Sequence, residues 1–291
     1  MNKLLKTSFL ASGAFVALSG SPFAASTLID GLVNYWNLDN NLTDSAHGYA
    51  GSASTVQDDG TFAGANGTDG IAYATGLFGS GTFQDGAAGA AQNNGFINVA
   101  RSGDTLFGAT TAHTANTVST SFWLQVSAFD TGWQTVVSHG EGNQYRIARR
   151  GGTTGIGYAG GVGEGPDGGT DVTVGWHHVV AISDGAAGNT RLFIDGVLES
   201  TGGAPVIDDT KSGGILDFNI GGNPDTGAQN REFAGNLDDI AQWGRVITDG
   251  EIAELFGGGV GSAQSLGALI PEPTSGLLGL LGLALIFRRR R

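Results

Sequence analysis

From residue 27 to residue 265 the chain never sustains a helical repeat. Its apolar residues come in short runs, continuous or alternating, broken by Gly, Asn, Asp and Thr. A helix needs an apolar stripe recurring every three to four residues over ten residues or more. Paired strands need only a period of two between turns. The clearest runs fall at 32–38, 121–126, 135–138, 145–148, 177–182, 190–194, 215–220 and 240–243. The expected fold class is therefore all-β, a sandwich or barrel. The 52 glycines have no three-residue period, which excludes a collagen helix.

Two hairpins can be read directly. The run Gly175-Trp176-His177-His178-Val179-Val180-Ala181-Ile182 meets Ser183-Asp184-Gly185, and Arg191 to Ile194 follows. Asp195-Gly196 then turns the chain into Val197-Leu198-Glu199. Asp-Gly pairs supply the positive backbone angle of tight hairpin turns. His177 and His178 are strand neighbours and should point to opposite faces, so they cannot share one metal as a helical i, i+4 pair could. One helix is expected. Thr248-Asp249-Gly250-Glu251 forms a capping box, Ile252, Leu255 and Phe256 follow at helical spacing, and Gly257-Gly258-Gly259 ends it. Residues 50–115 read as loops with two or three strands.

Both ends look like export signals. Lys3 and Lys6 precede an apolar stretch from Phe9 to Leu18 and then small residues, the pattern of a secretory signal peptide over 1–26. At the other end Pro271-Glu272-Pro273 is followed by 14 uncharged residues and then Arg288-Arg289-Arg290-Arg291. A stable span needs about 20 apolar residues, and the arginines would stay cytoplasmic. Of 14 basic residues six lie in these two ends, as does Glu272 of the 27 acidic ones, leaving 8 basic against 26 acidic residues in between, a net charge of −18. Such a surface repels nucleic acid and anionic lipid. The absence of cysteine excludes a disulfide framework, thiolate metal sites and cysteine catalysis.

The C-terminal triplet, short apolar segment and arginine run resemble the PEP-CTERM sorting tail. That resemblance implies processing by an exosortase in a Gram-negative bacterium, with a transient inner-membrane anchor and release to the cell surface or matrix alongside exopolysaccharide. The body of the chain resembles a LamG-like domain. The similar segments are Leu32 to Asp39 with Asn40 to Ser45, Phe122-Trp123-Leu124 with Thr131 to Ser138, Gly175 to Val179 with Leu192 to Gly196, and Gly235 to Arg245 leading into Thr248 to Leu255. Phe193 stands where the family commonly has Tyr. The resemblance implies the concanavalin A-like jelly roll, two antiparallel sheets face to face. The organisation expected is a signal peptide at 1–26, the LamG-like domain at 27–265, a linker at 266–270 and the sorting tail at 271–291.

Calcium is the cofactor this sequence suggests. Hard cations take several oxygens, and Asp39-Asn40-Asn41-Leu42-Thr43-Asp44 is rich in them. The resemblance places Asp238-Asp239, on the closing strand, near that loop. Asp44 and Asp239 are the first ligands expected, then Asp39 and Asp238. The alternative is that Asp44 caps a turn and that Asp238 and Asp239 satisfy backbone donors. For a glycan, Trp133, Tyr145 and Tyr158 lie near expected loops and could stack on sugar rings; the alternative places them in the core with Trp36, Trp123, Trp176 and Trp243. Catalysis has little support. No strand carries alternating acids on one face, Glu251 and Glu254 fall on the helix, Glu141 and Glu164 fall in loops, and no Gly-x-Ser-x-Gly elbow occurs. Gly155-Ile156-Gly157-Tyr158-Ala159-Gly160 matches a dinucleotide fingerprint, but Gly161 to Pro166 cannot form the helix that fingerprint needs, so it reads as a hairpin loop. The functional expectation is a non-catalytic adhesion or carbohydrate-binding protein, with exopolysaccharide or surface glycans as partners. The alternatives are a glycoside hydrolase or polysaccharide lyase on the same fold, or a structural matrix protein without a ligand.

Overall fold

The computed structural model describes residues 26–49, 51–52, 57–63, 71–84, 95–100, 116–140, 145–160, 165–205, 207, 217–223 and 231–270. The signal and sorting segments lie outside the described residues. In chain order the elements are β1 (Leu32–Trp36), β2 (Gly60–Ala63), β3 (Ile71–Thr75), β4 (Ser80–Gln84), β5 (Phe96–Val99), β6 (Val118–Val126), β7 (Thr135–His139), β8 (Tyr145–Arg149), β9 (Ile156–Ala159), β10 (Trp176–Asp184), β11 (Asn189–Ile194), β12 (Val197–Gly202), β13 (Phe218–Ile220), β14 (Gly235–Trp243), α1 (Asp249–Phe256) and α2 (Leu266–Leu269). They form two antiparallel sheets. The larger runs β12-β11-β10-β6-β14-β4-β3, with β1 also paired to β14, and the smaller runs β2-β5-β13-β7-β8-β9. This is the jelly-roll sandwich expected.

Alternation explains the layers. From the larger sheet Phe122, Leu124, Val179, Ala181, Leu192, Ile194 and Leu237 point inward, against Ile97, Val99, Val137, Ile147, Ile156, Phe218 and Ile220 of the smaller sheet. The other face of the larger sheet is covered too. There Val180, Ile182, Phe193, Ala241 and Trp243 pack under Ile252 and Leu255 of α1, Leu266 and Ile270 of the C-terminal segment, and Leu28 of the N-terminal turn. Hence β6, β10 and β14 are buried on both faces, which is why they read as almost unbroken apolar runs.

The local expectations hold at the hairpins β10-β11-β12 and at α1. Thr248 Oγ1 accepts from Glu251 N, Glu251 accepts from Thr248 N in return, and Gly257 closes the helix at φ 63°. Three expectations change. Four strands, β2 to β5, occupy the described part of 50–115, where two or three were expected. Ile156 to Ala159 is strand β9, paired with β8, and not a hairpin loop. The presumed linker at 266–270 is folded: α2 docks by Leu266 and Ile270, both buried. Its apolar spacing is too short to stand out in sequence.

Candidate functional site

Two regions carry chemistry, a carboxylate-rich rim on the larger sheet and the core-distal face of the smaller one. The rim forms at a bulge in β14, where the register with β6 shifts between Asp238 and Ala241 and Asp239 takes φ 54°. The extra residue lets both acids avoid the sandwich core, which Leu237 and Ile240 on either side still fill. Asp238 Oδ2 accepts from Phe78 N at 2.9 Å. Its Oδ1 is buried with no hydrogen-bond partner. Burial pushes this carboxyl up to about 8, with Asp239 and Asp39 adding repulsion. Asp39 reaches the same turn, accepting from Ser80 N at 2.8 Å. Gly76 and Gly79 line the turn, and a Cβ at either would run into the Asp238 or Asp39 carboxylate.

The structure splits the four expected ligands into two pairs. Asp39 and Asp238 converge on the 76–80 turn, and the orphaned buried Oδ1 suits a hard cation. Asp44 is instead a hydrogen-bond hub: Oδ1 accepts from Tyr35 N and Ala46 N at 2.8 and 3.0 Å, and Oδ2 from Asn34 Nδ2 and Asp58 N at 3.0 and 3.3 Å. Both its oxygens are occupied. Asp239 accepts from Tyr35 Oη and, at 2.7 Å, from Leu266 N, so it ties β1 and α2 to β14. Burial pushes it up to about 7. Asp44 and Asp239 thus follow the alternative in the sequence reading, Asp44 capping the turn after β1 and Asp239 satisfying a backbone donor. Among the described residues no three His, Cys, Asp or Glu side chains form a metal cluster. A cation at Asp39 and Asp238 would therefore draw its remaining ligands from backbone carbonyls and water.

The second region is built by register. Thr61 pairs with Asn98, Asn98 with Asn219, Asn219 with Ser138, Ser138 with Arg146, and Arg146 with Ala159. Residues paired across strands share a face, so this is one row across all six strands of the smaller sheet. Each polar member is flanked along its strand by core residues, such as Ile97 and Val99 around Asn98 or Tyr145 and Ile147 around Arg146. The row therefore lies on the face turned away from the core, yet Asn219, Ser138 and Arg146 are buried there and only Thr61 and Asn98 keep exposure. Asn98 Nδ2 bridges Asp217 Oδ2 and Asn219 Oδ1 at 3.0 and 3.2 Å. A parallel row holds Glu232, Thr135, Ala148, Gly157 and Asp167. Glu232 is 6% exposed, its Oε2 has no hydrogen-bond partner, and burial pushes its carboxyl up to about 8.

Of the three aromatic residues proposed to stack on sugars, two are corrected. Tyr145 and Tyr158 are fully buried, meet edge to face at 5.4 Å, and bond Thr120 and Ser183 through their hydroxyls. Their strands place them on the core side, so they offer no face to a ligand. Trp133 stands beside the polar row, partly exposed, with the Arg146 and Arg150 guanidinium carbons 5.2 and 4.9 Å from its ring centre. The polar rows were missed in sequence because they assemble from five separate strands. Their signal was a single polar residue between two core residues, repeated in β5, β7, β8 and β13.

The described residues hold a near-miss of a catalytic triad. Ser121 Oγ meets His178 Nε2 at 2.8 Å. Asp195, however, bonds the backbone N of His178 and the ring of its neighbour His177, at 2.9 and 2.8 Å. The Nδ1 of His178 has no partner, and burial pushes this imidazole down to about 3. Without an acid on Nδ1 the histidine has no orienting group for acyl transfer. Trp123 and Phe256 also close over it. On the smaller sheet, Glu232 and Asp167 stand at opposite ends of a five-position row. Four strand spacings separate their backbones by roughly 19 Å, far beyond the 5–9.5 Å of paired glycosidase carboxylates.

The sequence profile of the concanavalin A-like lectin/glucanases superfamily matches residues 100–253, more than half of the chain. The chain belongs to that superfamily. Its concanavalin A-like fold recurs in domain 4 of AbnA, an extracellular GH43 arabinanase from Geobacillus stearothermophilus, solved with arabinotriose. That domain is 20% identical, with a TM-score of 0.53 over 76% of this chain and 96% of that one. The binding domain of Paraclostridial Mosquitocidal Protein 1 is 13% identical, with a TM-score of 0.54 over 79% of this chain and 52% of that one. Botulinum neurotoxin type C, which depends upon interaction with two ganglioside molecules to enter cells, is 15% identical, with a TM-score of 0.53 over 79% of this chain and 52% of that one. The chain thus spans about half the length of the two toxin structures. At such identities these likenesses speak for the fold. No curated protein matches the chain.

Proposed function

We propose that this superfamily member is an exported, non-catalytic glycan-binding protein of the cell surface or extracellular matrix. One observation carries the reading: on the core-distal side of the smaller sheet the exposed Thr61, the half-buried Asn98 and the partly exposed Trp133 border a row of buried polar side chains, Asn219, Ser138 and Arg146. Amides and hydroxyls grip sugar hydroxyls, and a partly exposed indole offers an apolar platform. The arabinotriose-bound and ganglioside-dependent proteins that share the fold support the same class of ligand. Catalysis is disfavoured by the misdirected Asp195 and by the spacing of Glu232 and Asp167.

Calcium is proposed as a structural ion at Asp39 and Asp238. Bound there, it would supply the positive charge that two neighbouring carboxylates lack, and would fix the 76–80 turn against β14. Export through the signal segment and processing by an exosortase remain part of the proposal. They rest on the order Pro271-Glu272-Pro273, apolar segment and Arg288 to Arg291.

The test is native electrophoresis of the purified protein through gels containing single polysaccharides. At least one polymer should retard it, and Thr61→Ala together with Trp133→Ala should relieve the retardation while the protein still melts cooperatively above the assay temperature. No retardation by any polymer would sink the glycan reading and favour a ligand-free matrix protein.

A further inference from the structure

One position in β14 joins the carboxylate rim to the end of the folded chain. Up to Leu237 this strand pairs with β4, and from Ile240 onward it pairs with β1. The ladder to β6 shifts register over the same stretch, between Asp238 and Ala241. Asp239, at φ 54°, belongs to none of these three ladders. Side chains hold the bulge instead. On one side Asp238 accepts from Phe78 N of the 76–80 turn. On the other, Asp239 accepts from Tyr35 Oη of β1 and from Leu266 N of α2.

The segment held on that second side is short. Residues 265–270 make one turn of helix, capped by Ser265 and docked by Leu266 and Ile270. Gly267 N donates to the same Tyr35 Oη at 3.2 Å. A Cβ at Gly267 would sit 2.9 Å from Tyr49 Oη and 3.4 Å from Tyr35 Oη, so the close seat needs glycine. A four-residue helix has no stability of its own in water, and this one stays folded only while docked. Pro271 of the Pro271-Glu272-Pro273 triplet follows directly.

Charge links the two sides. Asp39 and Asp239 repel Asp238, and Asp39 also repels Asp239. Without a cation this repulsion acts on a stretch of backbone that the ladders do not fix. A divalent cation on Asp39 and Asp238 would cancel it and pin the bulge to the 76–80 turn. Asp239 would then stay aimed at Tyr35 and Leu266, whose bonds to a carboxylate are charge-assisted.

We propose that cation binding at Asp39 and Asp238 works a latch on the C-terminal segment: with calcium bound, residues 265–270 are locked onto β14, and without it they swing free. The proposal rests on the calcium reading and adds a regulated element to it. A released segment is extended chain, the form in which peptidases take their substrates, so calcium would govern access to the junction ahead of Pro271.

The test is hydrogen exchange of the full chain at one fixed pH, in calcium and in chelator, beside calorimetric titration with calcium. All five amides from Leu266 to Ile270 are hydrogen-bonded in the docked form. They should exchange about tenfold faster in chelator. The helix α1, docked on the same face away from the bulge, is the control and should change by less than about twofold. Asp238→Asn should make the segment indifferent to calcium. Coupling is reciprocal, so Gly267→Ala, which unseats the segment, should weaken calcium binding by about the same tenfold. Three results would overturn the latch and leave the calcium reading standing: calcium binding with unchanged exchange at 266–270, equal acceleration of that segment and α1, or wild-type calcium affinity in Gly267→Ala. No calcium binding in the titration would overturn both.

Discussion

Asp44→Asn is the substitution that best separates a cation ligand from a hydrogen-bond hub. In the structure both Asp44 oxygens are occupied, each by two donors, and the side chain is 1% exposed. An asparagine of the same shape must turn its NH2 toward one donor pair, either Tyr35 N and Ala46 N or Asn34 Nδ2 and Asp58 N. Two buried donors then lose their acceptor and face another donor. At about 1–3 kcal/mol for each buried donor left unsatisfied, and with some relief from removing a buried charge, the net loss should be about 3 kcal/mol. For a domain of this size that corresponds to a fall in Tm of about 6–12 °C. The assay is thermal melting of wild type and variant, each in calcium and in chelator. The fall should be the same in both buffers, because no cation is needed to explain these bonds. A loss below 1 kcal/mol, or one seen in calcium and abolished by chelator, would refute the hub and return Asp44 to the metal.

Other predictions concern titration and the outer layer. Asp238 has its folded pKa raised to about 8 against an unfolded value near 4. Its contribution is full below pH 4 and is lost as pH rises toward 8, about 4 kcal/mol by pH 7 in chelator. Added calcium should restore that stability in wild type, and Asp238→Asn should be more stable than wild type in chelator yet blind to calcium; both follow from melting curves between pH 5 and 8. His178 behaves oppositely. Its folded pKa is near 3 against about 6.5 unfolded, so stability is intact above pH 6.5 and falls by about 1.4 kcal/mol per pH unit below it. A His178→Gln variant should lose that acid slope in chemical denaturation. Arg245 bonds Glu251 at 2.6 and 2.9 Å and the carbonyls of Thr27 and Asp30, tying the N-terminal turn to α1. Arg245→Ala strands the buried Glu251 and should cost about 3–5 kcal/mol. Against the upward pull of burial, Arg245, Thr248 and Thr27 hold Glu251 down at about 2. That stability is present above pH 4.3 and is lost toward pH 2, a loss the variant should no longer show.

Much of this protein could be read from local pattern. The strands β6, β7, β8, β10 and β11 stood out as apolar runs, the Asp195-Gly196 turn marked its hairpin, and Thr248 with Glu251 marked α1. Local rules decide these features, because steric preference and period act within a few residues. Alternation also showed that His177 and His178 diverge, and the structure gives each a separate partner.

The sequence by itself determined the fold class, the acidic character of the surface and the terminal signals to be tested, since each depends on composition or on neighbours in the chain. Which acids are spent and which are available was decided only in three dimensions. Asp44 and Asp239 look like Asp39 and Asp238 in sequence, but backbone N–H groups from β1, the turn after it and α2 converge on the first pair. Likewise Tyr145 and Trp133 were equal aromatic residues until strand register sent one inward and left the other at the rim. The polar row of Thr61, Asn98, Asn219, Ser138 and Arg146 has no linear signature, because its members lie up to 158 positions apart and meet only through cross-strand pairing. Register, which the sandwich core enforces by burying every second residue, is what turns scattered polar residues into a surface.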